Sequence, residues 1–413
     1  MPISGGKYVA PTWHNNAAPA LDETELQAMS DTIEANQDSY EVGDIYFTTR
    51  TDLGDDWLLC NGDVISPEEY PELAAMLPGG VNPMALIKSG LVANARSLMY
   101  NGEYYGFVDD GVRFYTSPTL DGNYTDRGLT PGDNVPNVLN GDPNHYWFCY
   151  TDDDREFAYG TGDLSSGWTY NSPVDSTAND NGYMDFYGQG YYVARCQLYS
   201  YDLNFYATSP GASEPGWTEI PEPYRIVGFA NGYWFGTTRD GNDYNQLLYS
   251  EDITQPIAQW GNVNIPVDVG GYDIFYLNGK YIIACRNNGL YFSDSPSSLF
   301  NKVTMPANAN SGSMEKYECT VHYGNGVYVV YFQNNNVFAT KEIETNPTWV
   351  ELTSQQLFGD TSTPVTELMY FENQWVMLTN QSIYAVDVLM GATLPNISID
   401  GVYAYIRGRK GAA

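Results

Sequence analysis

Between residues 272 and 304, apolar-rich runs of strand length alternate with turn signals. Tyr272-Asp273-Ile274-Phe275-Tyr276-Leu277 reads as one strand, Asn278-Gly279 as a hairpin turn, and Lys280 to Cys285 as the next strand. Asn287-Asn288-Gly289 then turns into Leu290-Tyr291-Phe292-Ser293, and a fourth strand is predicted near Lys302-Val303-Thr304. Asn-Gly suits such turns because a two-residue hairpin needs positive φ at both central residues. The same unit returns along the chain. Gly or Asn, any residue, then Tyr or Trp occurs at Gly102-Glu103-Tyr104, Asn144-His145-Tyr146, Gly190-Tyr191-Tyr192, Gly232-Tyr233-Trp234, Gly279-Lys280-Tyr281, Gly326-Val327-Tyr328 and Asn373-Gln374-Trp375. The aromatic positions step by 42, 46, 42, 47, 47 and 47 residues. A four-stranded propeller blade consumes roughly 40–50 residues, so the spacing predicts a seven-bladed β-propeller over 85–390. The repeat aromatics are expected to pack between blades. Asn-Gly precedes the aromatic in four copies, at Asn101, Asn231, Asn278 and Asn325; in the seventh, Glu372-Asn373 takes its place.

The first 42 residues follow a different period. Asp22 and Glu25 read as a capping box, and Leu26, Met29 and Ile33 share one face of a helix predicted over 22–36. An isolated helix of about 15 residues is marginal in water, so the stripe packs either on its own chain or in an assembly. Residues 43–84 read as a strand at Gly43-Asp44-Ile45-Tyr46-Phe47, a second at Trp57-Leu58-Leu59-Cys60, a turn at Asn61-Gly62 and a short capped helix from Ser66 through Tyr70 to Leu73.

Composition narrows the partners. Lys and Arg number 18 against 51 Asp and Glu, a formal charge of −33. Such a surface repels phosphate backbones and anionic membranes, so nucleic acid is not expected as a partner. Aromatics make up 15% of the chain, with 36 Tyr, which favours strands. No apolar run approaches the roughly 20 residues needed to cross a bilayer, and no secretory signal follows Met1. The five cysteines (Cys60, Cys149, Cys196, Cys285, Cys319) form no CxxC pair and read as buried free thiols of a chain made in a reducing cytoplasm.

Two stretches carry a resemblance. Trp57, Leu58, Cys60, Asn61, Gly62, Ser66, Tyr70 and Leu73 resemble the "W-L-hydrophobic-C-(D/N)-G" strand and "S-x-x-x-Y-x-x-L" helix of the phage tail collar domain. Leu394-Pro395-Asn396-Ile397 with Ala404-Tyr405-Ile406-Arg407 resembles the closing strand of that module. The resemblance implies a small α+β collar-like module split between 43–84 and 391–413, with the propeller inserted and 1–42 as an attachment or oligomerisation arm. A propeller suits insertion because its first and last blades are neighbours. The arm, Tyr8-Val9-Ala10-Pro11-Thr12-Trp13 and Ala17-Ala18-Pro19-Ala20-Leu21, looks like the start of tail proteins from phages of Gram-positive hosts. The propeller resembles BNR/sialidase-type repeats in pattern only.

That pattern raises glycosidase chemistry, which needs an arginine cluster or a carboxylate pair about 5–10 Å apart. Arg113, Arg155, Arg195, Arg225, Arg239 and Arg286 fall at non-equivalent points of the repeat, and the Asp-box is only echoed at Ser250-Glu251-Asp252 and Gly167-Trp168-Thr169. His14, His145 and His322 have no metal spacing, and Ser313-Met314-Glu315-Lys316 lacks the partner motifs of an S-x-x-K enzyme. Asp152-Asp153-Asp154 and Asp240-Gly241-Asn242-Asp243 offer oxygen ligands for Ca²⁺ without a full loop signature, and read as solvated turns. No catalytic residue, metal site or cofactor is therefore nominated, and the protein is not expected to be an enzyme. The expectation is a virion tail fibre or collar protein, a homotrimer on other tail or baseplate proteins, whose propeller binds a bacterial surface glycan or protein. Tyr124, Trp168, Tyr170, Trp217 and Trp260 are the candidate exposed aromatics for stacking on sugar. A passive tail spacer and a glycan depolymerase are the alternatives.

Overall fold

The computed structural model describes the strands at 3–4 and 7–8 and most of 42–408. Residues 1–2, 5–6, 9–41, 54–56, 67–68, 152–156, 174–180, 199–200, 213–215, 221–223, 241–242, 266–271, 286–288, 307–308, 310–318, 333–335, 395–396, 398–401, 409–413 and a few single positions lie outside the description. The predicted helix over 22–36, Pro395, Asp152-Asp153-Asp154 and the Ser313–Lys316 motif fall among these. The described part is mainly β. It divides into two compact units, one built from 1–82 with 390–413 and the other from 83–389.

The first unit joins the two ends of the chain in its sheets. Tyr403–Arg407 is the central strand between Ile45–Thr48 and Trp57–Leu59, and Met390–Thr393 is central between Val64–Ile65 and Gly79–Val81. The register sets Ile45 opposite Ile406 and Phe47 opposite Ala404, so these four share one face. Ala404 and Ile406 there join Cys60, Ile65, Leu73 and Leu394 in a buried cluster, with Tyr70 packed against it. The Cys60 N–H donates to the Ala404 carbonyl, and the Ile397 N–H to that of Cys60. Gly62 has φ 87°, and Asn61 Oδ1 accepts from the Asp63 N–H, so the Asn-Gly pair makes a side-chain-supported turn. Ser66 Oγ accepts from the Glu69 N–H ahead of the helix Pro71–Ala74, one turn shorter than the sequence suggests. Gly391 is obligatory, because a Cβ there would overlap the Ile65 carbonyl.

The second unit is a succession of small antiparallel sheets. Four-stranded sheets cover 96–129, 181–220, 224–262, 272–302 and 319–351, and a three-stranded sheet covers 146–171. Asn137 adds a single bridge to Phe148 in the latter. The last sheet takes three strands from 368–386 and its fourth, Ala85–Ser89, from the other end of the unit, paired with Ser382–Val386.

Apolar clusters join most successive sheets. Val227 and Phe235 pack with Tyr281 and Ile283, and Ile282 and Val303 pack with Tyr328 and Val330. Leu98, Tyr105 and Phe107 of the first sheet pack with Met369, Val376 and Ala385 of the last. A series of sheets whose last member packs on its first is consistent with a β-propeller.

The hairpins explain the period. Gln189-Gly190, Asn231-Gly232, Asn278-Gly279, Asn325-Gly326 and Glu372-Asn373 all have positive φ at both positions, the two-residue geometry that matches strand twist. The first two copies differ. Asn101 keeps an ordinary φ, and its Oδ1 accepts from the Glu103 and Tyr104 N–H groups, which makes a wider turn. The extra length shifts the buried aromatic by one residue. Tyr105 and Trp147 are buried, and the expected Tyr104 and Tyr146 are only partly so. The other five repeat aromatics (Tyr192, Trp234, Tyr281, Tyr328, Trp375) are all buried.

Candidate functional site

Each junction between neighbouring sheets of the second unit carries a polar clasp near the first hairpin. Asn101 Nδ2 donates to the His145 carbonyl at 2.8 Å, and His145 Nδ1 lies 2.8 Å from the Asn101 carbonyl. Tyr192 Oη donates to Asp142 Oδ1 at 2.6 Å, and Trp234 Nε1 to Gln189 Oε1 at 3.1 Å. Tyr281 Oη accepts from Asn231 Nδ2 at 3.1 Å, and Tyr328 Oη donates to the Leu277 carbonyl at 3.3 Å. Tyr370 Oη donates to Asn325 Oδ1 at 2.9 Å. At the last junction Tyr100 and Tyr105 both donate to the Glu372 carboxylate, at 2.6 and 2.5 Å. Tyr105, Tyr192, Trp234, Tyr281 and Tyr328 thus fill the space between sheets with their rings and tie the preceding hairpin with their polar tips, while Tyr370 does this beside Trp375 and Trp147 turns its Nε1 to the Gly162 carbonyl.

A second repeated device closes the third strand. Buried Ser117, Ser250, Ser293 and Thr340 each donate a hydroxyl to the carbonyl two residues on, at 2.8–3.0 Å, and accept from the N–H of that same residue. The Asp-box echo at Ser250-Glu251-Asp252 is one member of this set, in which the hydroxyl stands in for a backbone turn partner. A short Ser/Thr turn has little sequence signature of its own, which is why the recurrence is invisible until the strands are aligned.

The five aromatics expected on loops do not form one surface. Trp217 and Trp260 are buried, with Nε1 donating to the Ala212 and Gln255 carbonyls, each five residues back. Trp168 packs against Phe114 and Leu164. Tyr124 lies on Phe107, its hydroxyl donating to the Leu120 carbonyl, and burial pushes that hydroxyl well above the usual tyrosine range. Each of these four immediately precedes the outer strand of its sheet, where the incoming loop brings the ring against the core. Tyr170 alone is open, at 54% exposure, on the edge strand Thr169–Asn171. Asn171 beside it donates to the carbonyls of Pro210 and Ala212, which anchors the 209–212 loop of the next sheet next to this strand.

Three described arginines meet aspartates. Arg113 bonds Asp126 at 2.6 Å, Arg127 bonds Asp163 at 2.7 Å, and Arg195 bonds Asp185 at 2.9 Å. The Arg127 pair joins the first sheet to the second. Among the described residues no group of three or more His, Cys, Asp or Glu could hold a metal ion. Cys60, Cys149, Cys196 and Cys285 are free thiols and buried.

No protein-family model matches the chain. No curated protein matches it in sequence. Among solved structures, YCF48 bound to a peptide aligns with a TM-score of 0.47 at 12% identity, over 80% of this chain and 97% of that one. A catalytically inactive virginiamycin B lyase from Staphylococcus aureus, with quinupristin, aligns at 0.47 and 10% identity, over 76% and 99%. Apo AztD from Citrobacter koseri aligns at 0.42 and 11%, over 69% and 78%. Likeness this distant says nothing of function, and the description of the sheets stands on their own pairing. No described helix is long and apolar enough to cross a membrane.

Proposed function

We propose that the protein is a structural component of a phage tail or a phage-tail-like particle, with a collar-like module carrying a seven-bladed propeller that binds a host surface receptor. One observation carries this reading. Strands from both ends of the chain interleave in the first unit, and the motif residues Cys60, Leu73, Leu394 and Ile406 meet in its one described core cluster. Two motif halves about 300 residues apart in sequence have no local reason to pair, so their packing together favours a module that was split by insertion. The propeller reading counts six sheets within 96–386 and a seventh completed by Ala85–Ser89, which brings both ends of the insert to the same strand pair.

Receptor binding would begin at Tyr170, whose open ring can stack on a sugar face beside the amide-held 209–212 loop. Weak contacts of that kind become useful through several copies per particle. The packing of Tyr124, Trp168, Trp217 and Trp260 into sheets favours a second reading, a passive tail spacer, because it removes four of the five expected stacking surfaces. Labelled full-length chain incubated with a panel of Gram-positive cells separates the two. Strain-selective labelling that weakens at least about fivefold in Tyr170→Ala, with unchanged melting, supports receptor binding. Labelling that ignores the substitution removes Tyr170 from the site, and co-purification with baseplate proteins without cell labelling supports the spacer.

A further inference from the structure

The seven clasps are not chemically equal. Four of the five two-residue hairpins present an amide side chain (Gln189, Asn231, Asn278, Asn325) at the first turn position, followed by glycine. The fifth presents Glu372 at φ 46°, where an unbranched acid is less at ease than Asn, and its two carboxylate oxygens each take one tyrosine hydroxyl. These bonds link residues 267 and 272 apart in sequence, whereas the other clasps link residues 44 to 51 apart. Loop-closure scaling makes a contact of the longer span roughly tenfold less probable in an open chain.

Covalent connection is also thinnest here. Every other pair of successive sheets is joined by the chain itself. The last sheet reaches the first only through the borrowed strand Ala85–Ser89, whose ladder to Ser382–Val386 contains a register shift and whose Ala85, Leu86, Ile87 and Ser89 are exposed. The tyrosines Tyr100 and Tyr105 stack on each other at 4.5 Å, and both rings lie against Phe371, next to the acid.

We infer that the Glu372–Tyr100–Tyr105 contact is an acid-releasable latch at the seam of the ring, so that protonating the carboxylate opens this junction before any other. A carboxylate accepts two strong hydroxyl bonds at once, whereas the neutral acid must turn one oxygen into a donor, facing a tyrosine that already donates. The charged and titratable groups around it are few. Glu103 on the 101–104 turn and the hydroxyls of Tyr100, Tyr105 and Tyr124 are the ones that act on the pair, and none of them is basic. The two tyrosine bonds hold Glu372 below the usual glutamate range against some desolvation. Its contribution is therefore complete above the ordinary glutamate value of 4.5 and is lost as pH falls through the lower folded value. The latch does not depend on what the protein binds.

The test is hydrogen exchange by mass spectrometry on the full chain, corrected for intrinsic rate, in the wild type, Glu372→Gln and the Tyr100→Phe/Tyr105→Phe double variant. At pH 7, Glu372→Gln should raise exchange at least about tenfold in peptides from 85–108 and 368–386 and leave 224–293 unchanged. The wild type should develop the same local pattern only as pH falls below about 4, through the lowered folded value, and Glu372→Gln should show no further acid response in those peptides. The tyrosine double variant should reproduce the local opening with the carboxylate intact, and it decides the matter if Glu372→Gln fails to fold. Opening spread evenly over all sheets, or an acid response retained in Glu372→Gln, overturns the latch.

Discussion

Gly106→Ala tests whether the first and second sheets are packed as closely as their rings imply. Gly106 lies in the buried strand Tyr105–Val108, and its backbone does not occupy the left-handed region, so only space forbids a side chain. A Cβ there would sit 2.6 Å from Phe114 Cζ and 2.8 Å from Trp147 Cη2, where an ordinary contact needs 3.4 Å or more. Both rings are fully buried and meet edge to face at 4.8 Å, so neither can retreat into solvent. Interiors this dense transmit the intrusion to neighbouring side chains, and overpacking of this kind costs about 2–3 kcal/mol. For a unit of this size that is roughly a 3–5 °C fall in melting temperature. Gly111→Ala is the control, because its Cβ would meet only an Asp109 carboxylate oxygen at an ordinary 3.4 Å. Thermal unfolding followed by near-ultraviolet circular dichroism reads both. A Gly106→Ala melting point within about 1 °C of the Gly111→Ala one would refute the packing of Trp147 against the first sheet.

Gly391→Ala should break the first unit selectively, because the new Cβ would overlap the Ile65 backbone carbonyl and the central strand could not keep its partner. Limited proteolysis is expected to cut within 42–82 and 390–408 while a fragment near 83–389 persists; equal resistance to the parent would count against that strand order. Burial pushes the thiols of Cys60 and Cys285 up, so a disulfide reagent at pH 8 should label neither until denaturant is added. Fast labelling of the native chain at either residue would contradict the core assignments. The Tyr100 hydroxyl is pushed up to about 12 by burial and then by its bond to Glu372. Its contribution is complete below the unfolded tyrosine value of about 10 and is lost as pH rises through 12, so Tyr100→Phe should lose less stability than the parent between pH 9 and 12. Parallel alkaline melting curves would show that the bond contributes nothing.

The repeat was legible because hairpin geometry and inter-sheet packing both write themselves into local sequence. A two-residue turn demands residues that tolerate positive φ, hence Asn278-Gly279 and its relatives, and the wedge between sheets demands a large flat ring, hence Trp234, Tyr281, Tyr328 and Trp375. Where the turn widened, at Asn101 and Asn144, the pattern drifted by one residue, and only the strand register identified Tyr105 and Trp147 as the buried members. The candidate site was poorly legible. Trp168 and Trp217 each directly follow a glycine and pack into a sheet, whereas Tyr170, two residues beyond Trp168 on the edge strand, is exposed, a difference that only the placement of that strand decides.

What the sequence determined by itself was local: strand and turn chemistry, the period, the acidity, and two motif halves at opposite ends of the chain. Tertiary structure decided the rest, because each remaining choice depends on contacts between distant segments. It paired Tyr403–Arg407 with both Ile45–Thr48 and Trp57–Leu59, lent Ala85–Ser89 to a sheet some 300 residues later, and set Glu372 against Tyr100 and Tyr105. No local preference specifies such partners. They are fixed only when the apolar faces of successive sheets have nowhere else to be buried.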